Sequence, residues 1–417
     1  MKDVAERFLE YVSFDTQSDE DSKTTPSTAK QFRLAEFLEK ELAGLGFSEV
    51  TLTDKCYLYA KIPATPGCEE IPALGFIAHL DTSDAACGAG VRPRIVPDWD
   101  GSPIQLGESG LTLTPLAELK GDTLITTDGT TLLGADDKAG IAIIITALEK
   151  IIADQKPHGA LSLCFTPDEE IGCGADFFDL RLFGASYAYT VDGGPANLIE
   201  GENFNAAGAE VRVRGLSTHP GSAKNIMLNA QKIAMEFDGM LPPWETPEHT
   251  EGREGFYHLL STEGNVSCAV LNYILRDFEI AGLEKRKKTL LDAADYLNEK
   301  YGFGTVAVTL KDSYRNMAEI ICRYPFLIEK ARQAIADAGL EPCLSPIRGG
   351  TDGARLCFMG LPCPNLGYGG YQPHGETEYV SVEKMRLVTE ILIGIASSFV
   401  TEPPPVTAGD IGCSSGD

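Results

Sequence analysis

Two spacings of apolar residues alternate along most of the chain. Helical spacing, with apolar residues three and four positions apart, marks the stretches 4–12, 29–45, 139–152, 327–338 and 382–399. Short, nearly continuous apolar runs, typical of buried strands, lie at 50–52, 58–62, 73–79, 161–166 and 187–191. Alternating elements of this kind predict an α/β fold, with a mixed sheet flanked by helices.

The middle of the chain follows a different order of elements. Strand-like and helical patterns follow one another as a strand at 210–214, a helix at 230–237, strands at 257–261 and 268–278, a helix at 283–301 and a strand at 305–310. This β-α-β-β-α-β order is that of a ferredoxin-like unit. We therefore predict a discontinuous catalytic domain, residues 1–206 and 317–400, with an inserted lid or dimerisation domain at 207–316. The Pro-, Gly- and Ser-rich segment 401–417 is predicted to be a flexible tail.

Charge and composition narrow the classes of partner. The 417 residues include 61 acidic and 35 basic side chains, a formal net charge of −26. Nucleic acid and anionic membranes are therefore unfavourable partners, because both are bound by clustered Lys and Arg. The start of the sequence lacks the apolar segment of a signal peptide, and no apolar run reaches the ~18 residues of a membrane span. The 11 cysteines form no Cys-x-x-Cys pair, so we expect reduced thiols in a cytoplasmic protein.

Residue types suited to metal binding and catalysis follow three of the predicted strands, open one helix and occupy one late loop. They are His79 and Asp81, Glu169 and Glu170, Asp192, the pair Asp136 and Asp137 that precedes the helix at 139–152, and His374 in a Pro-His-Gly loop. Open α/β sheets bind ligands beyond the carboxyl ends of their strands. We therefore expect these side chains to meet at one edge of the sheet.

Taken singly, each of these residues also has a structural explanation. Asp136 or Asp137 is well placed to be a helix N-cap. Adjacent glutamates such as Glu169 and Glu170 are usually a solvated surface pair, and Asp192 before two glycines is a common turn residue. The combination favours a metal site, because His and carboxylates without Cys supply the nitrogen and oxygen donors that Zn²⁺ and paired divalent ions accept.

Several blocks, in this order, resemble the co-catalytic zinc peptidases, the family of carboxypeptidase G-type enzymes, aminoacylases and succinyl-diaminopimelate desuccinylase. The blocks are 79–82, 134–140, 168–170, 192–194 and the loop of His374. Further blocks at 11–18, 165–170, 202–207, 254–259 and 346–353 are similar to the tripeptide aminopeptidases of this family. The resemblance runs from about residue 5 to residue 400. It implies a dinuclear zinc aminopeptidase that releases the N-terminal residue from tripeptides, with an amidohydrolase of dipeptides or N-acyl amino acids as the alternative.

The same resemblance implies a role for each residue. Two Zn²⁺ ions per subunit, or other divalent metals, would be held by five ligands: Asp136 as the bridge, His79 and Asp192 in one site, and Glu170 and His374 in the other. The family motif Asp-x-Lys selects Asp136 rather than Asp137. Asp81 would orient the ring of His79. Glu169 would be the general base for a metal-bridging hydroxide that attacks the peptide bond.

The inserted domain contributes two candidates for substrate binding, His219 and Arg276, and the predicted catalytic domain contributes a third, Arg348. His219, in Ser-Thr-His-Pro-Gly, is either a solvent-facing turn residue or, by resemblance, a donor to the developing oxyanion in its own or a partner subunit. Arg276 lies on an alternating strand, where a salt bridge is the simpler role. Arg348 is better placed, because the Gly-Gly-Thr-Asp-Gly segment after it lets the backbone approach a ligand. Either arginine could bind a peptide's C-terminal carboxylate and so limit substrate length. The lid is also a candidate homodimer interface.

Overall fold

The computed structural model of the chain describes residues 1–107 and 109–404, which form two compact units. The first unit comprises Met1–Glu202, Met317–Ser345 and the residues from Thr351 onward. The second comprises Asn203–Asn316 and Pro346–Gly350. It ends at the residue expected for the insertion, but it begins before residue 207 and includes a segment from later in the chain. The last helix continues to Thr401, and residues 405–417 of the predicted tail lie outside the described residues.

The elements are numbered in chain order. The α-helices are α1 Val4–Tyr11, α2 Gln31–Gly44, α3 Ala135–Ala153, α4 Leu180–Phe183, α5 Ala230–Asp238, α6 Ile280–Tyr301, α7 Ala318–Ile321, α8 Pro325–Asp337, α9 Asp352–Met359 and α10 Val382–Thr401. Short 3₁₀ helices lie at Ala117–Leu119, Pro220–Ser222 and Pro247–His249. The strands are β1 Ser48–Leu52, β2 Leu58–Ile62, β3 Leu74–His79, β4 Arg94–Val96, β5 Ile104–Leu106, β6 Leu111–Leu113, β7 Leu124–Thr126, β8 Leu161–Thr166, β9 Tyr187–Gly193, β10 Leu198–Glu200, β11 Asn205–Arg214, β12 Phe256–Gly264, β13 Cys268–Asp277, β14 Val306–Tyr314, β15 Cys343–Leu344, β16 Asn365–Gly367, β17 Gly370–Tyr371 and β18 Tyr379–Ser381.

An eight-stranded mixed sheet, in the order β1-β2-β8-β3-β9-β16-β10-β15, forms the centre of the first unit. Strands β8, β3 and β9 are neighbours and run parallel, with Leu74 of β3 paired to Leu161 on one side and Tyr187 on the other. Every residue of β3 and β8 is buried, which explains why these segments are apolar without alternation. Because the three strands are parallel, the polar residues that follow them meet at one edge, as the sequence predicts.

Helix α3 crosses the sheet and is buried along most of its length. It packs against β3 and β9 on one side and against α1 and α10 on the other. A helix covered on both sides has no polar face, and residues 139–148 are accordingly all buried. This packing fixes the start of α3, where Asp136 and Asp137 lie.

A smaller four-stranded sheet, in the order β17-β18-β7-β4, brings the late loop of His374 to the start of α3. His374 lies between β17 and β18. Strand β18 pairs antiparallel with β7, with Val380 opposite Ile125. Since the chain leads from β7 into α3, this pairing places two segments together that are far apart in the sequence.

The second unit has the element order β11-α5-β12-β13-α6-β14, and its sheet has the strand order β12-β13-β11-β14 with all pairs antiparallel. These are the element and strand orders of a ferredoxin-like unit. The late segment Pro346–Gly350 joins it through a bridge between Asn203 and Ile347.

The helices of the described part of the chain offer no candidate for a membrane span, since none of them combines the required length with a sufficiently apolar sequence.

Candidate metal centre

The carboxylate of Asp136 lies between two imidazole rings in the first unit. Its Oδ1 is 2.9 Å from Nε2 of His79, and its Oδ2 is 3.2 Å from Nε2 of His374. Oδ1 of Asp192 lies 3.4 Å from the same nitrogen of His79, and Oε2 of Glu170 lies 2.9 Å from that of His374. The five side chains predicted to bind metal therefore form two groups that share Asp136.

The donor set of this cluster fits divalent cations. The side chains of Asp136, Asp192 and Glu170 are only 13%, 12% and 5% exposed, and their ion pairs in the described part of the chain are all with histidine. Buried carboxylates need compensating positive charge. Ligand atoms of His79, Asp136 and Glu170 lie within 4.8 Å of one another, as do those of His79, Asp137 and Asp192. Imidazole nitrogens and carboxylate oxygens at this spacing suit Zn²⁺ or a related ion.

The carboxylates favour protonation of both histidines. Hydrogen bonds to Asp136 and Glu170 raise the pKa of His374 to about 11. Burial opposes protonation of His79, but the negative charge of Asp192 and the hydrogen bond to Asp136 outweigh it and raise the pKa of His79 well above its usual range. Histidine binds metal only when deprotonated, so cations that bind here would take the place of these protons.

The adjacent residues Asp136 and Asp137 differ in what their side chains contact. Asp137 is fully buried, and its Oδ1 accepts a hydrogen bond from the backbone N–H of Gly140 at 3.2 Å. Its Oδ2 accepts from the backbone N–H of His79, also at 3.2 Å. The backbone at both aspartates departs from helical angles, with ψ of 103° at Asp136 and 31° at Asp137. The helix-cap explanation thus applies to Asp137, whereas Asp136 faces the imidazoles.

Asp81 connects the ring of His79 to the turn that carries the two glutamates. Its carbonyl oxygen lies 3.0 Å from Nδ1 of His79, which leaves Nε2 facing the cluster. Its carboxylate accepts hydrogen bonds from the backbone N–H groups of Glu169 at 3.0 Å and Glu170 at 3.2 Å. Asp81 is fully buried, so these contacts are shielded from water. The residue predicted to orient His79 therefore also holds the neighbouring turn.

Glu169 and Glu170 point into different surroundings. Glu170 uses Oε2 toward His374 and accepts the backbone N–H of Ser83 with Oε1, at 3.0 Å. The carboxylate of Glu169 has no hydrogen-bond partner among the described residues. Burial, together with nearby carboxylates, raises the pKa of Glu169 well above its usual range. A buried carboxylate without a hydrogen-bond partner is free to exchange a proton with a bound water or substrate.

The turn before Glu169 is held by Asp168, whose backbone has a positive φ of 58°. Its carboxylate accepts hydrogen bonds from the backbone N–H and the hydroxyl of Ser27, at 2.7 and 2.5 Å, and from Nε2 of Gln31 at 2.6 Å. These hydrogen bonds connect the turn to Ser27 and to Gln31, the first residue of α2. Asp168 therefore has a structural role, in contrast to the next two residues.

Sequence reasoning missed Asn365 of β16. Its Oδ1 accepts hydrogen bonds from the backbone N–H of Asp192 at 3.1 Å and the hydroxyl of Thr190 at 2.8 Å. Its Nδ2 donates to Oε2 of Glu200 at 2.7 Å. The available signal was an amide at the start of the short strand β16, because such a side chain must find partners when it is buried. Glu378, in the loop after His374, is a second buried polar residue whose contacts only the structure shows.

The buried carboxyl of Glu200 is expected to make the free energy of unfolding depend on pH. Burial raises the pKa of its carboxyl from 4.5 to about 7, so the folded protein binds this proton more tightly than the unfolded chain. This contribution is complete below pH 4.5 and is lost as the pH rises through 7. We expect Glu200→Gln to remove about 3 kcal/mol of pH dependence in the free energy of unfolding between these limits, measured by urea denaturation. The exposed Glu341→Gln variant is the control, and equal pH slopes for wild type and Glu200→Gln would contradict the assignment.

The three residues predicted to bind substrate lie in the second unit, and their roles remain predictions. His219 is exposed, and its Nδ1 accepts a hydrogen bond from the backbone N–H of Gly221 at 3.2 Å. The guanidinium of Arg276 lies 5.1 Å from the ring centre of Tyr314 and donates to a neighbouring backbone carbonyl. Arg348 donates to backbone carbonyl oxygens in the loop 250–254 at 2.7 to 3.3 Å.

Comparison with known proteins identifies the class. The signature of Peptidase family M20/M25/M40 matches residues 127–398, and the chain belongs to this family. Among its relatives, peptidase T of Clostridium perfringens is 51% identical over 402 residues, which cover 95% of this chain and 98% of that protein. Peptidase T of Shewanella pealeana is 49% identical over 399 residues, with coverage of 94% and 97%. The predicted family membership is confirmed, and the chain is a peptide-bond hydrolase.

Solved structures show the same fold. Aminopeptidase PepT from Bacillus cereus matches with a TM-score of 0.76 and 23% identity, over 95% of this chain and 98% of that one. YXEP from Bacillus subtilis, described as a dinuclear metal-binding peptidase of the M20 family, matches with a TM-score of 0.63 and 13% identity, over 95% and 98%. The predicted α/β fold is thereby confirmed.

Proposed function

We propose that the protein is a dinuclear zinc aminopeptidase that releases the N-terminal residue from tripeptides. The carboxylate of Asp136 between the imidazoles of His79 and His374 carries this proposal. The free carboxylate of Glu169 on the same sheet edge supports it. Identity of 51% over nearly the whole chain to a protein named peptidase T supports the choice of a peptide substrate.

The chain's own residues would carry the proton transfers. Two divalent ions held by the five ligands would polarise the scissile carbonyl and lower the pKa of an attacking water to about 7. Glu169 would take a proton from that water and deliver it to the amine that leaves. Asp81 would keep the ring of His79 and the backbone of Glu169 in place during this transfer.

A carboxylate anchor for the peptide's C-terminus would explain a limit on substrate length, and Arg276 fits this role better than Arg348. Among the described residues, Arg276 donates to the carbonyl oxygen of Leu275, at 3.0 Å. Most of its guanidinium N–H groups therefore remain available for a bidentate contact with a carboxylate. Arg348, in contrast, already donates to several oxygens in the loop 250–254.

The substrate class is tested by initial rates on a matched series. The series comprises a tripeptide, its N-acetylated form, the dipeptide with the same N-terminal residue, and the corresponding N-acetyl amino acid. We expect the free tripeptide to give the highest kcat/KM and its acetylated form to be resistant, because an aminopeptidase requires a free amine. Highest turnover of the N-acetyl amino acid would instead support the amidohydrolase alternative, and highest turnover of the dipeptide would support a dipeptidase.

A further inference from the structure

Glu378 is a buried carboxylate that accepts three backbone N–H groups from one turn. Its Oε2 accepts hydrogen bonds from the N–H groups of Leu133 and Gly134, both at 2.8 Å. Its Oε1 accepts from the N–H of Asp136 at 3.0 Å. The side chain is only 1% exposed, and no Lys or Arg in the described part of the chain forms an ion pair with it. All the direct polar contacts of this charge are therefore with the turn that leads to Asp136.

These three N–H groups depend on the carboxylate because the turn belongs to neither a strand nor a regular helix. Gly134 has a left-handed backbone with φ of 77°, and Asp136 has non-helical angles before α3 becomes regular. Backbone N–H groups in such a conformation cannot join the hydrogen-bond ladder of α3. Without Glu378, several buried donors would lack a partner, and the turn would lose what holds its shape.

Glu378 also belongs to the loop of His374. The backbone N–H of Glu378 donates to the carbonyl oxygen of Gly375 at 3.2 Å, which closes a turn directly after His374. Strand β18 begins at the next residue, Tyr379, and anchors this loop to β7. One carboxylate therefore connects the loop that carries His374 to the turn that carries Asp136.

We propose that Glu378 is a positioning residue that fixes Asp136 relative to His374 and thereby sets the protein's affinity for its metal ions. This inference rests on the proposed metal centre. A carboxylate that accepts three N–H groups needs both oxygens and its full length. Gln in its place offers one acceptor oxygen and turns an N–H₂ group toward the turn, while Asp keeps the charge but is one methylene shorter.

The test measures Zn²⁺ affinity of the full-length protein by competition with a chromophoric chelator. We expect Glu378→Gln and Glu378→Asp each to bind Zn²⁺ about 10- to 100-fold more weakly than wild type. Glu376→Gln is the matched control, because it makes the same chemical change on an exposed side chain of the same loop, and it should bind like wild type. Wild-type affinity in Glu378→Gln would overturn the inference. So would wild-type affinity in Glu378→Asp alone, because charge rather than geometry would then explain the effect.

Amide hydrogen exchange in the metal-free wild-type protein tests the same contacts without a variant. The N–H groups of Leu133, Gly134 and Asp136 should exchange at least about 10-fold more slowly than exposed loop amides, since each is buried and hydrogen-bonded. Exchange as fast as in an exposed loop would contradict the inference even if the variants failed to fold. If the wild-type protein binds no Zn²⁺ while these amides are protected, the proposed metal centre is wrong and the structural contacts of Glu378 stand.

Discussion

Glu169→Gln should keep its metal ions and lose nearly all peptidase activity. The carboxylate of Glu169 has no hydrogen-bond partner among the described residues, so the amide can replace it without leaving a structural group unpaired. The amide cannot accept and return a proton, and removal of a general base costs about 10²- to 10⁴-fold in kcat. Initial rates on a tripeptide, together with elemental analysis of the same samples, measure both expectations.

The exposed Glu376→Gln variant is again the matched control and should retain the activity of wild type. Activity of Glu169→Gln within a few-fold of wild type would place the general base elsewhere. Loss of metal together with activity would instead make Glu169 a ligand, which its place beside Glu170 allows.

Asp136→Asn should empty the metal centre, because both groups of ligands share this carboxylate. After dialysis against metal-free buffer, we expect about two Zn²⁺ ions per chain in the wild-type protein and fewer than about one in the variant. We expect kcat/KM to fall by about 10³-fold or more, since the proposed metal pair would contribute several kcal/mol to stabilising the transition state.

The neighbouring variant Asp137→Asn separates ligation from structure. Asp137 accepts backbone N–H groups with both oxygens, and an asparagine would leave one of these buried donors unpaired. We expect Asp137→Asn to lower the free energy of unfolding by about 1–3 kcal/mol, measured with chelator present, and to retain most of the metal. The reverse pattern, with metal lost only in Asp137→Asn, would show that Asp137 is the bridge.

The parts of the site that could be predicted from sequence are those whose signal is local. Strands β3, β8 and β9 are short apolar runs, and each carries a residue of a metal-binding or catalytic type at or just beyond its carboxyl end. Parallel neighbours end at one edge, so the meeting of His79, Glu170 and Asp192 follows from chain direction alone. The resemblance to a known family then assigns roles that the local pattern leaves open.

Residue type and helix position alone do not separate the roles of Asp136 and Asp137, and before the structure only the family motif Asp-x-Lys favours Asp136. Both are acidic, both precede the same helix, and either is a suitable cap. The choice depends on the departure from helical geometry at the start of α3, which packing against β3 and β9 and against α1 and α10 holds in place. The composition of the second unit also depends on tertiary contacts, because Pro346–Gly350 joins it through contacts with residues that are distant in the sequence.

The sequence by itself determined the fold class, the family and the identity of the residues with metal-binding chemistry. Periodicity, strand ends and residue types are carried by neighbouring positions, so they can be read along the chain. The resemblance implied which carboxylates accompany the histidines, but only the tertiary structure shows their contacts and which other carboxylates support the backbone. Glu378 and Asn365 take their roles from N–H groups more than a hundred residues away, which become neighbours only when β18 pairs with β7 and β16 pairs with β9.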